Sequence, residues 1–286
     1  MADLKLFNQT ITNVKTQEYL KSVLGEKKQA FVNNLTALVS NDKNLQVCEP
    51  TTLMFAALKA TALDLPLDNN LGFAYVIPYK NTRAGITEAQ FQVGWKGIAQ
   101  LAIRSGQFKT INVTDVREGE LKGRNRLTGD VQVEWIEDDA ARMKAKIVGF
   151  LGYFKLLSGY EKTTYWSMEE LEQHGLKYSQ TYRKGYGVWK DNFEAMAKKT
   201  VVKLMLNKGD APMSVEMQQA IKYDQSIILD ENGNCRYIDN SKPTAEEKLE
   251  AIAAKEQQFE EAQVVENTTP EQSSIDNENA QSDKLF

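Results

Sequence analysis

The sequence predicts an α+β protein, and three observations support that class. Apolar side chains recur at helical spacing through residues 1–70, whereas alternating strand patterns begin at Leu71. Helical patterns return between and after the strands, so the middle of the chain contains both kinds of element. Beyond Asn240 aromatic residues become rare, and Glu, Gln, Asn and Ser dominate. We therefore predict N-terminal helices in residues 1–70, an α+β core in residues 71–240 and a C-terminal tail in residues 241–286.

Two helices are predicted before the first strand. One extends from Lys15 to Val39, where the apolar residues recur at helical spacing. The other begins at Pro50 and ends before Pro66, because proline suits the first turn of a helix but cannot continue one. Both are expected to be packing helices.

From Leu71 onwards the predicted elements follow one another closely. Gly106 closes one helix, and Ser167 with Glu170 forms a capping box for another. A linker rich in Tyr, Lys, Arg and Gly then leads into a lysine-bearing helix that begins near Trp189. The predicted strands are 72–79, 88–94, 110–116, 130–136, 143–156 and 162–166, the helices are 94–106 and 168–178, the linker is 177–187, and residues 119–129 form a polar, basic hairpin tip or loop.

Charge is distributed unevenly along the chain. Residues 71–210 carry 22 basic and 16 acidic side chains, whereas residues 224–286 carry 5 basic and 15 acidic ones. Thr244 and Glu247 can cap one helix in the acidic tail, and a flexible, disordered chain is expected after Val265 because little apolar surface remains to bury. This distribution predicts a core that binds a polyanion and a solvated tail that contacts partners.

Missing residue types exclude several catalytic classes. His174 is the one histidine, so Ser–His–Asp and Cys–His nucleophile systems and histidine-rich metal sites are excluded. A role at a helix C-terminus is expected for it. No Walker phosphate loop is present, and no cofactor is predicted. We expect no signal peptide, because MADLKLFNQT lacks a basic n-region and an apolar h-region. The sequence also contains no apolar run long enough to span a membrane and no cysteine spacing typical of a disulfide framework, so a cytoplasmic location is expected.

Four basic elements in residues 71–210 are candidate contacts for a polyanion. They are the helix 94–106, where basic or amide side chains recur every fourth residue, the linker, the lysine-bearing helix, and the segment 142–150, where Arg142, Lys144 and Lys146 alternate on one strand face. Lysine and arginine neutralise phosphates, and aromatic rings stack bases at roughly 1–3 kcal/mol each. The candidate contacts are Tyr75, Lys96, Gln100, Arg104, Arg142, Lys144, Lys146, Arg183, Lys184, Lys198, Lys199 and Lys203.

Four segments of this chain resemble one family closely. GFAYVIPY, FQVGWKGIAQLAIRSGQF, VREGE and WKDNFEAMAKKTVVKLMLNKGDAPMSVEMQQAI occur in this order between about Leu65 and Asp224. They are similar to the RecT family of phage-type single-strand annealing recombinases. The chain departs from the family pattern after VREGE, where Leu121 and a basic loop follow.

The resemblance implies a fold and an activity. The implied fold is a β-β-β-α annealing-protein core, similar to that of Red beta and the eukaryotic annealing proteins, with added helices. The implied activity is binding of single-stranded DNA and ATP-independent annealing to a duplex, by subunits assembled into rings or helical filaments in a bacterial host cell. Implied partners are a 5′→3′ exonuclease and, through the C-terminal tail, the host single-strand-binding protein.

We therefore expect a non-enzymatic annealing protein encoded by a phage or prophage. Lys199 and Lys203 stand four residues apart on one helical face and are the first choice for phosphate contacts. The N-terminal helices are expected to make contacts between subunits. Two other interpretations stay open. One is a recruitment factor that acts through its acidic tail, and the other is a metal-dependent nuclease that uses Glu134, Glu137, Asp138 and Asp139.

Overall fold

The computed structural model describes residues 2–81, 84–207 and 211–237. These residues belong to one contact unit, residues 1–240. They form helices and antiparallel sheets, which confirms the α+β class. The predicted tail, with its capped helix and the segment after Val265, lies outside the described residues.

The N-terminal part is helical, and one of its two predicted helices is divided. The predicted helix from Lys15 to Val39 is interrupted at Gly25, whose positive φ of 55° ends the first half. Pro50 occupies the first turn of its helix, as predicted. The helices are α1 (Ala2–Thr12), α2 (Val14–Leu24), a 3₁₀ turn (Gly25–Lys27), α3 (Lys28–Asn41), α4 (Lys43–Gln46) and α5 (Pro50–Ala62).

The remaining elements alternate between strands and helices. They are β1 (Ala74–Asn81), β2 (Ile86–Val93), α6 (Trp95–Arg104), β3 (Phe108–Arg117), β4 (Leu121–Arg124), β5 (Val131–Val133), α7 (Asp139–Lys144), β6 (Ile147–Leu156), β7 (Glu161–Ser167), α8 (Met168–Tyr178), α9 (Gln180–Arg183), α10 (Val188–Asp191), α11 (Phe193–Asn207), α12 (Val215–Tyr223), β8 (Ser226–Ile228) and β9 (Cys235–Tyr237). Three antiparallel sheets result, with strand orders β1-β2-β8-β9, β3-β6-β7 and β4-β5. The predicted capping box at the start of α8 is present.

The predicted strand 143–156 is wrong at its N-terminal end. Residues 139–144 form helix α7, because the carboxylate of Asp138 accepts a hydrogen bond from the backbone N–H of Ala140 and caps it. Strand β6 begins only at Ile147. Arg142 and Lys144 therefore lie on a helix and do not share a strand face with Lys146. Residues 119–129, predicted as a hairpin tip or loop, include the paired strand β4 as well as the turn that leads to β5.

One hydrophobic core joins the N-terminal helices to the first two sheets. Phe7 on α1, Leu53 on α5, Phe91 on β2 and Phe154 on β6 are all buried in it. Helix α11 lies directly on β6, since a Cβ atom at Gly152 would be 2.9 Å from a methyl group of Val201. The position of α11 is thus set by close packing, and this helix carries much of the site described next.

Candidate nucleic-acid interface

The G-W-K-G segment forms a tight corner between β2 and α6. A Cβ atom at Gly94 would lie 2.0 Å from the carbonyl oxygen of Gly72, and one at Gly97 would lie 2.1 Å from that of Phe73. The backbones approach so closely that only glycine fits at either position. The segment is therefore a packing motif, and its effect is to hold the exposed Lys96 at the start of α6.

Tyr75 lies beside Lys96 at this corner. The Tyr75 hydroxyl and the Lys96 side chain are 3.0 and 3.6 Å, respectively, from the place where a Cβ atom at Gly72 would stand. The antiparallel register puts Tyr75 opposite Gln92. Burial raises the pKa of the Tyr75 hydroxyl above its usual value, so the group stays protonated and can donate a hydrogen bond. The structure thus brings together two of the predicted contact residues.

A row of hydrogen-bonded amide side chains runs from this corner along β2 into the interior, where Gln90 is buried. The Gln92 amide donates to the side-chain oxygen of Gln90 (2.8 Å), and the Gln90 amide donates to the backbone oxygen of Gln225 (2.7 Å). These glutamines alternate along one face of the strand. The row ends at a pocket, because Gln225 is one of the pocket's lining residues.

The pocket lies between α8, α10, α11 and Gln225 and has a volume of about 300 Å³. Aromatic rings form one wall: the imidazole of His174 is 4.6 Å from the ring of Tyr178 and 6.3 Å from that of Trp189, between ring centres. Tyr178 is 42% exposed, whereas Trp189 is nearly buried. Gly175 allows this packing, because a Cβ atom there would be 3.0 Å from the Trp189 ring.

The polar side of the pocket is a buried ion network. Asp224 is fully buried, and its two carboxylate oxygens each accept a 2.8 Å bond, one from the Lys199 ammonium and the other from Lys203. The backbone N–H of Val93 donates to the same carboxylate at 3.1 Å. Burial alone would raise the pKa of Asp224, but the two lysines outweigh it and hold the pKa below its usual value. The network ties α11 to β2.

The histidine is held neutral. Burial lowers the pKa of His174 below its usual value, and the nearby ammonium groups of Lys203 and Lys177 lower it further. Its ring contacts are aromatic, with Trp166 at 6.2 Å as well as Tyr178 and Trp189. The sequence predicts that His174 acts at a helix C-terminus, whereas in the structure its ring packs in an aromatic cluster.

Comparison with known proteins assigns the chain to a family. The sequence profile of the RecT family matches residues 29–244. The chain belongs to the RecT family. It is 35% identical over 240 residues to "Uncharacterized protein YqaK" of Bacillus subtilis (strain 168), and the aligned region covers 82% of this chain and 79% of that protein. It is 26% identical over 184 residues to "Protein RecT" of Escherichia coli (strain K12), and the aligned region covers 64% of this chain and 65% of that protein.

For this RecT-family chain, the prediction that α11 presents an open face of lysines is wrong. Lys199 is buried with its ammonium on Asp224, and Lys203 shares the same carboxylate with 26% of its side chain exposed. Lys198 pairs with Glu194 at 2.6 Å on the surface of the helix. Lys199 and Lys203 do share one face, as predicted, but that face turns towards β2 and the pocket.

Two of the arginines predicted to contact a polyanion instead bind groups within the protein. Arg142 donates to the fully buried carboxylate of Glu120 at 2.7 Å and contacts Asp115. Burial would raise the pKa of Glu120, but Arg142 and the backbone N–H groups of Arg117 and Ile136 together outweigh it and lower the pKa. Arg104 donates to the backbone oxygen of Leu63 at 2.5 Å, at the C-terminus of α5. Both arginines hold elements of the fold together.

Five predicted basic residues remain open to a ligand. They are exposed, and within 2–81, 84–207 and 211–237 none of them forms an ion pair. Gln100 is half-buried on α6, in the same helical stripe as Lys96. The five are Lys96 on α6, Lys144 and Lys146 around the end of α7, and Arg183 and Lys184 at the end of α9.

Two of the four acidic residues considered for a nuclease have other roles. Asp138 caps α7, and the Glu134 carboxylate pairs with Lys122 at 3.2 Å. In the part of the chain that the structure describes, no three His, Cys, Asp or Glu side chains are grouped so that they could hold a metal ion. Over the same residues no helix has the length and apolar content needed to cross a membrane.

Proposed function

We propose that this RecT-family chain binds single-stranded DNA and anneals complementary strands without ATP, in homologous recombination. The observation that carries the proposal is the corner at the start of α6, where the exposed Lys96 lies beside the half-buried Tyr75 and Gln92. It combines cationic, amide and aromatic groups, which is the combination that single-strand-binding surfaces use. Family membership supports DNA binding and annealing as the activity.

Phosphate contacts would supply affinity without sequence preference. The open cations Lys96, Lys144, Lys146, Arg183 and Lys184 are the groups available for this, because their charges are not matched by described carboxylates. Lys203 keeps part of its side chain exposed at the pocket, but its ammonium is paired with Asp224. Lys199 acts by positioning α11. Watson–Crick pairing with a second strand then supplies both specificity and driving force, so no bond needs to be made or broken by the protein.

Assembly of several subunits is part of the proposal. A lone subunit would cover too little DNA for stable pairing, so we propose rings or helical filaments on DNA. The helices α1–α5 are the proposed subunit contacts, and the sheet β3-β6-β7 with α11 packed on it is the proposed β-β-β-α core. A 5′→3′ exonuclease and, through residues 241–286, a host single-strand-binding protein are the proposed partners.

The test mixes two complementary labelled oligonucleotides with the protein, without ATP, in the presence and absence of Mg²⁺. Faster duplex formation under both conditions is the expected result. Shortened strands that depend on Mg²⁺ would instead support a nuclease. No effect on either pairing or length would leave recruitment through the acidic tail as the remaining function.

A further inference from the structure

We propose that the pocket between α8, α10 and α11 accepts one unstacked nucleobase of the bound strand. This inference rests on the proposed function, since it assigns a specific contact within the single-strand interface. It adds a base-binding subsite to a surface whose other contacts are to phosphates.

The aromatic wall has the shape that a base requires. Tyr178 lines the pocket and is 42% exposed, and the His174 ring lies 4.6 Å from it between ring centres, at an angle of 46°. Trp189 closes the back of the pocket, where it contacts His174 and Tyr182. A planar heterocycle entering beside Tyr178 would lie against π-faces, which bind every base without regard to sequence.

The polar wall can serve the edge of a base. Lys203 has three ammonium donors, and one of them is used by Asp224. Asn207, an exposed residue at the end of α11, offers both a donor and an acceptor. Donors and acceptors therefore occur together at one side of the pocket. Such a mixed set can hydrogen-bond any of the four bases, as a protein without sequence preference needs.

A phosphate fits the pocket less well than a base. The Asp224 carboxylate in the lining accepts from the ammonium groups of Lys199 and Lys203 at 2.8 Å each and offsets one of their two charges. The pocket therefore offers a phosphate only one uncompensated positive charge. His174 adds no charge, because burial and then Lys203 keep its pKa low. The volume of about 300 Å³ is sufficient for a base.

The pocket is joined to the Tyr75–Lys96 corner by hydrogen bonds inside the protein. The Gln92 amide donates to the buried Gln90 at 2.8 Å, and the Gln90 amide donates to the backbone oxygen of Gln225 at 2.7 Å. These bonds tie β2 to the lining of the pocket.

The test compares two ligands of equal charge, an oligo-dT strand and the same backbone carrying abasic sites. Wild-type protein should bind oligo-dT about tenfold more tightly than the abasic strand, because stacking is lost in the second. Tyr178→Ala should lose most of that ratio while its affinity for the abasic strand stays the same. Tyr178→Phe should keep the ratio, since it keeps the ring.

Matched controls separate the pocket from general effects. Tyr160→Ala removes a tyrosine of similar exposure (45%) on the turn between β6 and β7, outside the pocket, and should leave the ratio unchanged. Asn207→Phe fills the pocket from an exposed position and should lower the ratio even if Tyr178→Ala fails to fold. A full ratio in folded Tyr178→Ala, or in Asn207→Phe, would overturn the pocket while the proposed function stands. Failure of wild-type protein to bind either strand would overturn both.

Discussion

Replacing Asp224 with Asn should destabilise the fold by about 3–5 kcal/mol, because it leaves a buried ammonium without its counter-charge. The Lys199 side chain is 7% exposed and that of Asp224 is fully buried. Asparagine keeps an oxygen that can accept from the Val93 N–H, so the backbone hydrogen bond need not be lost. The expected loss therefore comes from the charge alone.

The size of this destabilisation can be checked against the free energy of deprotonating Lys199. In the variant the buried lysine can lose its proton and become neutral. Deprotonation at pH 7 costs about 1.4 kcal/mol for each unit below the ordinary lysine pKa of about 10.4, or about 4.6 kcal/mol in total. This figure lies in the same range as the loss measured when one partner of a buried ion pair is removed. Lys203, with 26% of its side chain exposed, can turn to water and adds little.

The assay is urea-induced unfolding followed by circular dichroism. The double variant Lys199→Met with Asp224→Asn should recover at least half of the loss, because it removes the buried charge as well. Glu194→Gln is the matched control, since it breaks the exposed pair with Lys198 on the same helix and should cost less than about 0.5 kcal/mol. An Asp224→Asn protein within about 1 kcal/mol of wild type, at an unchanged urea slope, would refute the reasoning.

Three further predictions follow from the same contacts. Gly97→Ala should cost about 1–3 kcal/mol in urea unfolding, because its Cβ would meet a carbonyl oxygen at 2.1 Å, and a neutral result would contradict that packing. Lys96→Ala should lower the salt slope of single-strand binding by about 0.7, whereas Lys198→Ala should not change it, so equal slopes for the two variants would count against Lys96. Wild-type protein should lose stability relative to His174→Asn as the pH falls below about 6.5, because burial and then Lys203 lower the folded-state pKa and the unfolded chain takes up the proton first. Parallel pH profiles would contradict this last prediction.

Local signals in the sequence predicted many of the elements. Pro50 at the start of α5, the Ser167–Glu170 capping box of α8 and the alternating patterns of β1 and β2 all act within a few residues. Asp138, which caps α7, is also a short-range signal. It was overlooked because the alternation of Arg142 and Lys144 favoured a strand. Helix caps and strand alternation are short-range, so they can be recognised without knowledge of the fold.

The direction in which a helical face turns could not be predicted in this way. The spacing of Lys199 and Lys203 shows that they share a face, but only the fold reveals that Asp224 lies under it. The amide row was missed for a similar reason. Gln90 and Gln92 alternate on β2, but the partner of the Gln90 amide is the backbone oxygen of Gln225, which is far away in the sequence.

Photo-crosslinking of bound single-stranded DNA tests the position of the interface most directly. An oligonucleotide containing 4-thiothymidine would be irradiated on the protein, and the crosslinked peptides would be identified by mass spectrometry. We predict crosslinks in two segments, residues 72–96 around Tyr75 and residues 174–207 around Tyr178. Crosslinks confined to the helices α1–α5 would contradict the proposed interface.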